Sequence, residues 1–321
     1  MSTQPPGVVV VGSINADLVV TLERHPQPGE TLLGRTMKVM PGGKGANQAV
    51  AAAKLGAPTT MIGAVGQDAY TDVALSGLRS AGVNTGGVRR VGTTTGVAIV
   101  EVDDAGENTI VVIPGANGEV TPALVASAAD RIADAGVLVL QGEIPAASVA
   151  AAVAITLSAR HTRVLINLAP VIELDRETLL RADPLVVNEH EGALVLEQLT
   201  GASAPLDSAA SDHAETARAL LECGFSSVVM TLGGAGALLA DSSGVLEAPA
   251  PSVAVVDTTG AGDAFVGALA ARLVAGDALP EAVTVAVRVG AFAVGAEGAQ
   301  PSYPSLTDAL PEAASPQGAQ A

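Results

Sequence analysis

Short, unbroken apolar runs separated by alanine-rich helical stretches constrain this chain more than any other feature. The runs are Val8 to Val11, Met61 to Val65, Val137 to Leu140, Val164 to Ile166, Leu185 to Val187 and Val228 to Met230. A strand that is apolar at every position is buried on both faces, which is the mark of a parallel sheet covered by helices on each side. Helical stretches lie where parallel crossovers need them: Ala46 to Leu55, Pro122 to Ala133, Ala146 to Arg160 and Ala214 to Cys223. The expected fold class is α/β, three layers deep, with a mainly parallel central sheet.

Two regions break this rhythm. Asp17 to Val39 holds DLVVTL and ETLLGRTMKV joined by a Pro-Gly-rich turn, and Gly96 to Ile113 holds GVAIVEV, DDAGE and NTIVVI. Neither contains a crossover helix, and the second reads as a hairpin. We expect them to form a small antiparallel sheet projecting from the body and covering a site, a partner subunit or both. The chain then divides into an α/β body (1–16, 40–95 and 114–304), a β-sheet lid (17–39 and 96–113) and a mostly disordered tail (305–321). Gly201 to Asp212 is a small-residue loop between helices.

Composition excludes several functions. The 321 residues carry a net charge of −17 and only 2% aromatics, against both phosphate-backbone binding and base stacking, so no nucleic-acid partner is expected. Any nucleotide must be held by local N–H groups and a metal, because the overall field repels it. The four histidines, His25, His161, His190 and His213, lack metal-ligand spacing, and no zinc site is expected. The single Cys223 fits a reducing compartment and a core position. No signal peptide or membrane span is visible, so a cytoplasmic location away from membranes is expected.

The polar residues concentrate after the apolar runs: Gly12, Asn15 and Asp17, then Gln141 and Glu143, Asn167, Asn188, Thr231 with Gly233, and Asp257 after Val255 and Val256. In open parallel sheets ligands bind at that carboxyl edge. Two glycine-rich elements join them. In VDTTGAGDAF, Val256 to Phe265, a Gly-Ala-Gly turn opens a helix from about Asp263 to Val274, a natural anion site. Asp263 there is either the helix N-cap or a chemical participant. The second element, PGGKGANQAVAAAKLGA from Pro41 to Ala57, is no Walker A loop, since Lys38 occupies the first glycine position. Its bare backbone beside Lys44 and Asn47 suits a polyol, or else is a plain loop-to-helix connection. Asn188 and Glu191 of NEHE are either a capping box or a pair holding water on Mg²⁺.

GSINADLVV, PGGKGANQAVAAAKLGA, NEHE and DTTGAGDAF, in this order, resemble the ribokinase-like carbohydrate kinases from about Val8 to Tyr303. GSINAD, GGKGANQA, GENTI, PGAN and GAQPS are most similar to the members acting on ribose. The resemblance implies a ribokinase-like α/β body whose small β-sheet lid also forms a homodimer contact, and ATP-dependent phosphorylation of D-ribose on its 5-hydroxyl. It implies sugar contacts from Asn15, Asp17, Gly43, Lys44, Asn47 and Glu143, and nucleotide contacts from Asn188, Thr231, Gly233 and Gly236. Asp263 matches the catalytic base and Gly260, Ala261 and Gly262 the anion hole, with Mg²⁺ near Glu191. A K⁺ activator is implied at Asp257, Thr259, Ala293, Ala296, Gly298 and Ser302. Val287 and Arg288 depart from the residues usual at the adenine-facing part of the last helix.

Overall fold

The computed structural model describes residues 6–159, 161–201 and 213–312. In chain order the strands are β1 (Val8–Val11), β2 (Asn15–Thr21), β3 (Thr36–Gly42), β4 (Thr59–Val65), β5 (Asn84–Arg90), β6 (Gly96–Val102), β7 (Asn108–Ile113), β8 (Val137–Gln141), β9 (Arg163–Asn167), β10 (Leu185–Asn188), β11 (Ser227–Thr231), β12 (Gly236–Asp241) and β13 (Gly244–Pro249). The helices are α1 (Lys44–Lys54), α2 (Thr71–Ser80), α3 (Pro122–Ala126), α4 (Ala129–Ala133), α5 (Ala146–Thr156), α6 (Arg176–Leu179), α7 (Glu189–Thr200), α8 (His213–Glu222), α9 (Ala261–Ala275), α10 (Leu279–Ala293) and α11 (Ala299–Ser302).

Nine strands make the body sheet in the order β13-β12-β11-β10-β9-β8-β1-β4-β5. It is parallel from β5 to β11 and ends in the antiparallel β12–β13 hairpin. The apolar runs are buried on both faces. Val8 and Val10 join the core of α1, α9 and α10, whereas Val9 and Val11 join Ile132, Val149 and Leu220 on the other side. Each fully buried valine of this kind contributes on the order of 1.5–3 kcal/mol.

Helices α1 and α9 cross closely on one face of the sheet because Gly267 has no side chain. A Cβ there would lie 2.5 Å from both the Ala51 Cβ and the Gln48 carbonyl oxygen. This approach sets the first turn of α1 against the first turn of α9.

The second sheet has four strands in the order β3-β2-β6-β7. Both hairpins, β2–β3 and β6–β7, are antiparallel, and they join through a parallel β2–β6 pair. Its strands run beyond the expected lid limits, to Asn15 at one end and Gly42 at the other. Sugar-facing candidates therefore sit on the lid strands themselves.

Three expectations need correction. Pro122 to Ala133 is two short helices, because Ser127 caps α3 and returns its hydroxyl to the Leu124 carbonyl. Val255 and Val256 are no strand; they lie in an exposed loop, each 64% accessible, before the Gly-Ala-Gly turn. The tail does not begin at Ser305: Leu306 N–H donates to Lys54, and Arg288 Nε donates to the Pro311 carbonyl at 2.7 Å. Residues 313–321 of that tail, and 202–212 of the loop, lie outside the described residues. No described helix is long and apolar enough to cross a membrane.

Candidate active site

The Gly-Ala-Gly turn delivers the first turn of α9 to the carboxyl edge of the sheet. Gly260 precedes the helix with φ 73, the left-handed region that favours glycine. A Cβ at Gly260 would also lie 2.5 Å from the Tyr303 hydroxyl. The Ala261 N–H turns back to the Thr258 carbonyl at 3.2 Å. The N–H groups of Gly262 and Asp263 have no partner among the described residues, so these two face the space where an anion would sit. Of the expected anion-hole positions Gly260, Ala261 and Gly262, Ala261 thus has its N–H turned to Thr258, while the Gly262 N–H is free among the described residues.

Asp263 is not an N-cap. It is the third residue of α9, buried, and makes no capping bond. Its Oδ2 accepts from Asn47 Nδ2 at 2.9 Å and its Oδ1 from Gln48 Nε2 at 2.9 Å. The α1–α9 crossing makes both bonds.

A cleft of about 820 Å³ opens above this carboxylate. Asn15, Asp17, Gly43, Lys44, Asn47 and Glu143, all expected to contact sugar, line it together with Asp263. Ala98, Val100, Asn108, Ile110 and Val112 of the small sheet form its roof. Ser13 Oγ donates to Glu143 Oε2 at 2.5 Å, and the Lys44 N–H donates to the same oxygen at 3.1 Å. Burial, with Glu143 and Asp263 nearby, raises the Asp17 carboxyl to about 7 despite Lys44. Its Oδ1 is buried without a hydrogen-bond partner, which leaves it ready for a hydroxyl donor. Burial alone would lower the Lys44 ammonium, but Asp263, Glu143, Glu191 and Asp17 together hold it above its ordinary value.

Asn188 and Glu191 form the capping box: Asn188 Oδ1 accepts from the Glu191 N–H at 2.8 Å, and Glu191 Oε2 from the Asn188 N–H at 2.9 Å. That bonding does not remove them from the site. Both edge a small pocket shared by Lys44, Thr231, Gly260, Gly262 and Asp263, where the cap fixes their direction. Burial raises the Glu191 carboxyl, with the Asn188 N–H and Lys44 opposing. A hard cation held through water matches the free Glu191 Oε1 and the second lone pair of Asn188 Oδ1.

A neighbouring pocket of about 470 Å³, which shares Thr258 with the larger cleft and Gly262 with the small pocket, is lined by Thr231, Gly233, Gly236, Ala261, Phe265 and Val287. Arg288 is not part of it, since its guanidinium bonds the Leu310 and Pro311 carbonyls. On the far side of the turn, Asp257 Oδ1 accepts from the Thr259 N–H at 2.9 Å and Oδ2 from the Gly298 N–H at 2.7 Å. Burial pushes this carboxyl up, but those bonds outweigh it and hold it below the ordinary range. Asp257, Thr259 and Gly298 are therefore brought together. Ala293 is buried at the end of α10, Ala296 is exposed, and Ser302 turns its hydroxyl to the Ala299 carbonyl. Those positions offer main-chain oxygens, in keeping with a weakly hydrated cation.

Sequence reasoning missed Gln48, Asn117 and Gln300. Asn117 Nδ2 donates to Asn15 Oδ1 at 2.7 Å, and Gln300 Nε2 donates to Asn47 Oδ1 at 2.8 Å. A usable signal existed for Gln48, since it and Asn47 are the only carboxamides in an otherwise Ala-, Gly- and Val-rich helix between Lys44 and Lys54.

The sequence profile of the pfkB family carbohydrate kinases matches residues 6–306. The ribokinase of Schizosaccharomyces pombe is 38% identical over 312 residues, covering 94% of this chain and 96% of the relative. The deoxyribokinase of Salmonella typhimurium is 39% identical over 303 residues, covering 93% and 96%. The structure of Arabidopsis thaliana ribokinase complexed with ribose and ATP superposes with a TM-score of 0.81 at 32% identity, covering 94% of this chain and 97% of that one. With its two glycine-rich elements meeting at one buried carboxylate, the chain belongs to the pfkB family of carbohydrate kinases.

Proposed function

We propose that this kinase phosphorylates D-ribose on O5 with ATP, giving D-ribose 5-phosphate and ADP. The observation that carries this reading is the Asp263 carboxylate, buried at the floor of the cleft that Asn15, Asp17, Lys44, Asn47 and Glu143 line, in the same helix turn as the free N–H groups. Asp17, Asn15 and Glu143 accept from the sugar hydroxyls, while Lys44 and Asn47 donate. The 5-hydroxyl gives its proton to Asp263 as its oxygen attacks the γ-phosphorus, and ADP leaves along the same line. N–H groups at the start of α9 stabilise charge on the transferring group. The lid strands exclude water from the reacting atoms.

The nucleotide lies along Thr231, Gly233 and Gly236, with adenine beside Val287. Mg²⁺ fits the oxygens of Asn188 and Glu191 through water, where it supplies positive charge to the phosphates. K⁺ fits Asp257, Thr259 and the carbonyls of Ala293, Ala296, Gly298 and Ser302, where it supplies charge beneath the turn. We place the enzyme in the cytoplasm as a homodimer joined through the lid. The exposed apolar residues Ile110 to Ile113 on one edge strand of the lid, with Met37 on the other edge strand, support that contact; sedimentation of Val111→Lys as a monomer is the expected result.

Replacing Asp263 by Asn tests the reading: turnover should fall by about 10²–10⁴ while sugar binding stays within a few-fold. Near-wild-type turnover would contradict it. A second reading, 2-deoxyribose as the substrate, draws on the deoxyribokinase relative. Assay of ribose, 2-deoxyribose, fructose, a keto-deoxy sugar acid and nucleosides with ATP, with and without K⁺, separates these; the highest kcat/KM on ribose is expected.

A further inference from the structure

Behind Asp263 runs a chain of buried carboxamides, Gln141, Gln48 and Asn167, of which only Asn167 also edges the small pocket beside Glu191. Its polarity is fixed by an atom that cannot be turned round. The Val186 main-chain oxygen only accepts, so Asn167 presents Nδ2 to it at 3.1 Å. Asn167 Oδ1 therefore faces Gln48, which answers with Nε2 at 2.9 Å. The other hydrogen of that nitrogen points to Asp263 Oδ1, also at 2.9 Å. Gln48 Oε1 takes Nε2 of Gln141 at 2.7 Å. With two donor hydrogens and its oxygen engaged, Gln48 has one permitted orientation. It is 1% exposed, too deep for solvent to take over either role.

We propose that Gln48, oriented from the central sheet through Asn167, is a positioning residue that clamps the Asp263 carboxylate, ionised and aimed at the incoming hydroxyl. This rests on Asp263 acting as the base. Each carboxylate oxygen of Asp263 faces a fixed amide donor, Oδ1 that of Gln48 and Oδ2 that of Asn47. The charged and titratable groups facing Asp263 are Asp17 from β2, Lys44 from α1, Glu191 from α7 and the Tyr303 hydroxyl after α11. The two amide bonds hold the direction of the carboxylate among these charges.

Gln48→Met keeps the volume and removes the donors. Expected is a fall in kcat of about 10–100-fold, with KM for sugar and ATP within about twofold, because the loss lies in aim and not in binding. The acidic limb of the kcat–pH profile should rise by about one pH unit, and Gln48→Glu should raise it further. Asn167→Leu, which frees Gln48 to turn, should give a smaller shift in the same direction and serves where Gln48→Met does not fold. Sugar binding by calorimetry establishes folding for each variant. A folded Gln48→Met enzyme with wild-type kcat and acidic limb overturns the proposal, as does loss of folding in both variants, which would make the amides structural only. Asp263→Asn measured alongside separates the two levels. Retained turnover there removes the base, whereas an inactive Asp263→Asn beside an unaltered Gln48→Met removes only the clamp.

Discussion

The two ends of the cleft are built from different materials. At the end where we propose that the phosphates bind, the free groups are main-chain N–H groups of Gly262 and Asp263, set by a left-handed Gly260 and aimed by α9. At the end proposed for the sugar they are side chains, Asp17, Lys44, Asn47, Glu143 and Asp263. The difference follows from electrostatics. Lys44 faces Asp17, Glu143, Glu191 and Asp263, and the whole chain carries −17. An anion entering that field needs donors that bring no counter-charge and cannot be neutralised by a carboxylate, and a helix start supplies them. A sugar needs acceptors at fixed angles, which only oriented side chains give.

The sharpest way to break this contrast is at the turn. Gly260→Ala places a Cβ against Ala299 and the Tyr303 hydroxyl and strains a φ of 73. We expect kcat to fall by about 10²–10³ with sugar affinity nearly unchanged; calorimetry beside steady-state kinetics checks both. Equal losses in sugar affinity would mean that the two ends are not separate.

Next in size is the pH response of the sugar end. Asp17 is raised to about 7, and the ionised form is the one that accepts two hydroxyls. Sugar binding must then expel a proton below that pH, so Kd should rise about tenfold for each pH unit below 7 and level off above it. Asp17→Asn should bind weakly and lose the dependence. Titration of sugar from pH 5.5 to 8.5 reads this directly, and a flat wild-type profile would refute it.

Asp257→Asn should act on the phosphate end alone. It turns an N–H₂ toward one of two main-chain donors, so the loop holding Thr259 and Gly298 loosens. The expected result is a few-fold lower kcat, in the range of one charged hydrogen bond, and a loss of the difference between K⁺ and its absence. Smallest of all is Arg288→Ala. Its partners are Leu310 and Pro311, so KM for ATP should stay within about twofold while Tm drops by a few degrees. A large rise in KM for ATP would return Arg288 to the nucleotide pocket.

What the sequence disclosed depended on how local the cause was. Strands β1, β4, β8, β9, β10 and β11 of the parallel sheet were legible because burial on both faces leaves no polar alternation, whereas the edge strand β5, NTGGVRR, is largely unburied and shows no apolar run. The β6–β7 hairpin was legible because its turn chemistry is contiguous. The β12–β13 hairpin was not, since β12 (GALLAD) is a run of only four apolar residues and β13 (GVLEAP) is mostly exposed, with Pro249 ending it. Asp263 could be singled out from the turn beside it, but its escape from the capping role needed the position of α1. Gln48 illustrates the limit. Its part depends on how closely α1 and α9 cross, which a glycine four residues beyond Asp263 decides, and on a carbonyl in β10. Gln141 and Asn167 stood out as polar residues at a sheet edge, yet Gln141 faces inward along the amide chain, and Asn167 joins that chain while edging the small pocket.

The parallel pairing of β2 with β6 has a consequence for the order in which the molecule can acquire its parts. Asn15 lies opposite Gly96, so the strand bearing Asp17 finds its central partner only after the intervening chain, including α1, β4, α2 and β5, has been traversed. Such non-local registry is entropically slow to close and is rewarded last. The roof of the cleft can thus open at a fraction of the cost of unfolding the body. Amide protons of β6 and β7 should exchange well before those of β1 and β8, and bound sugar should narrow the gap.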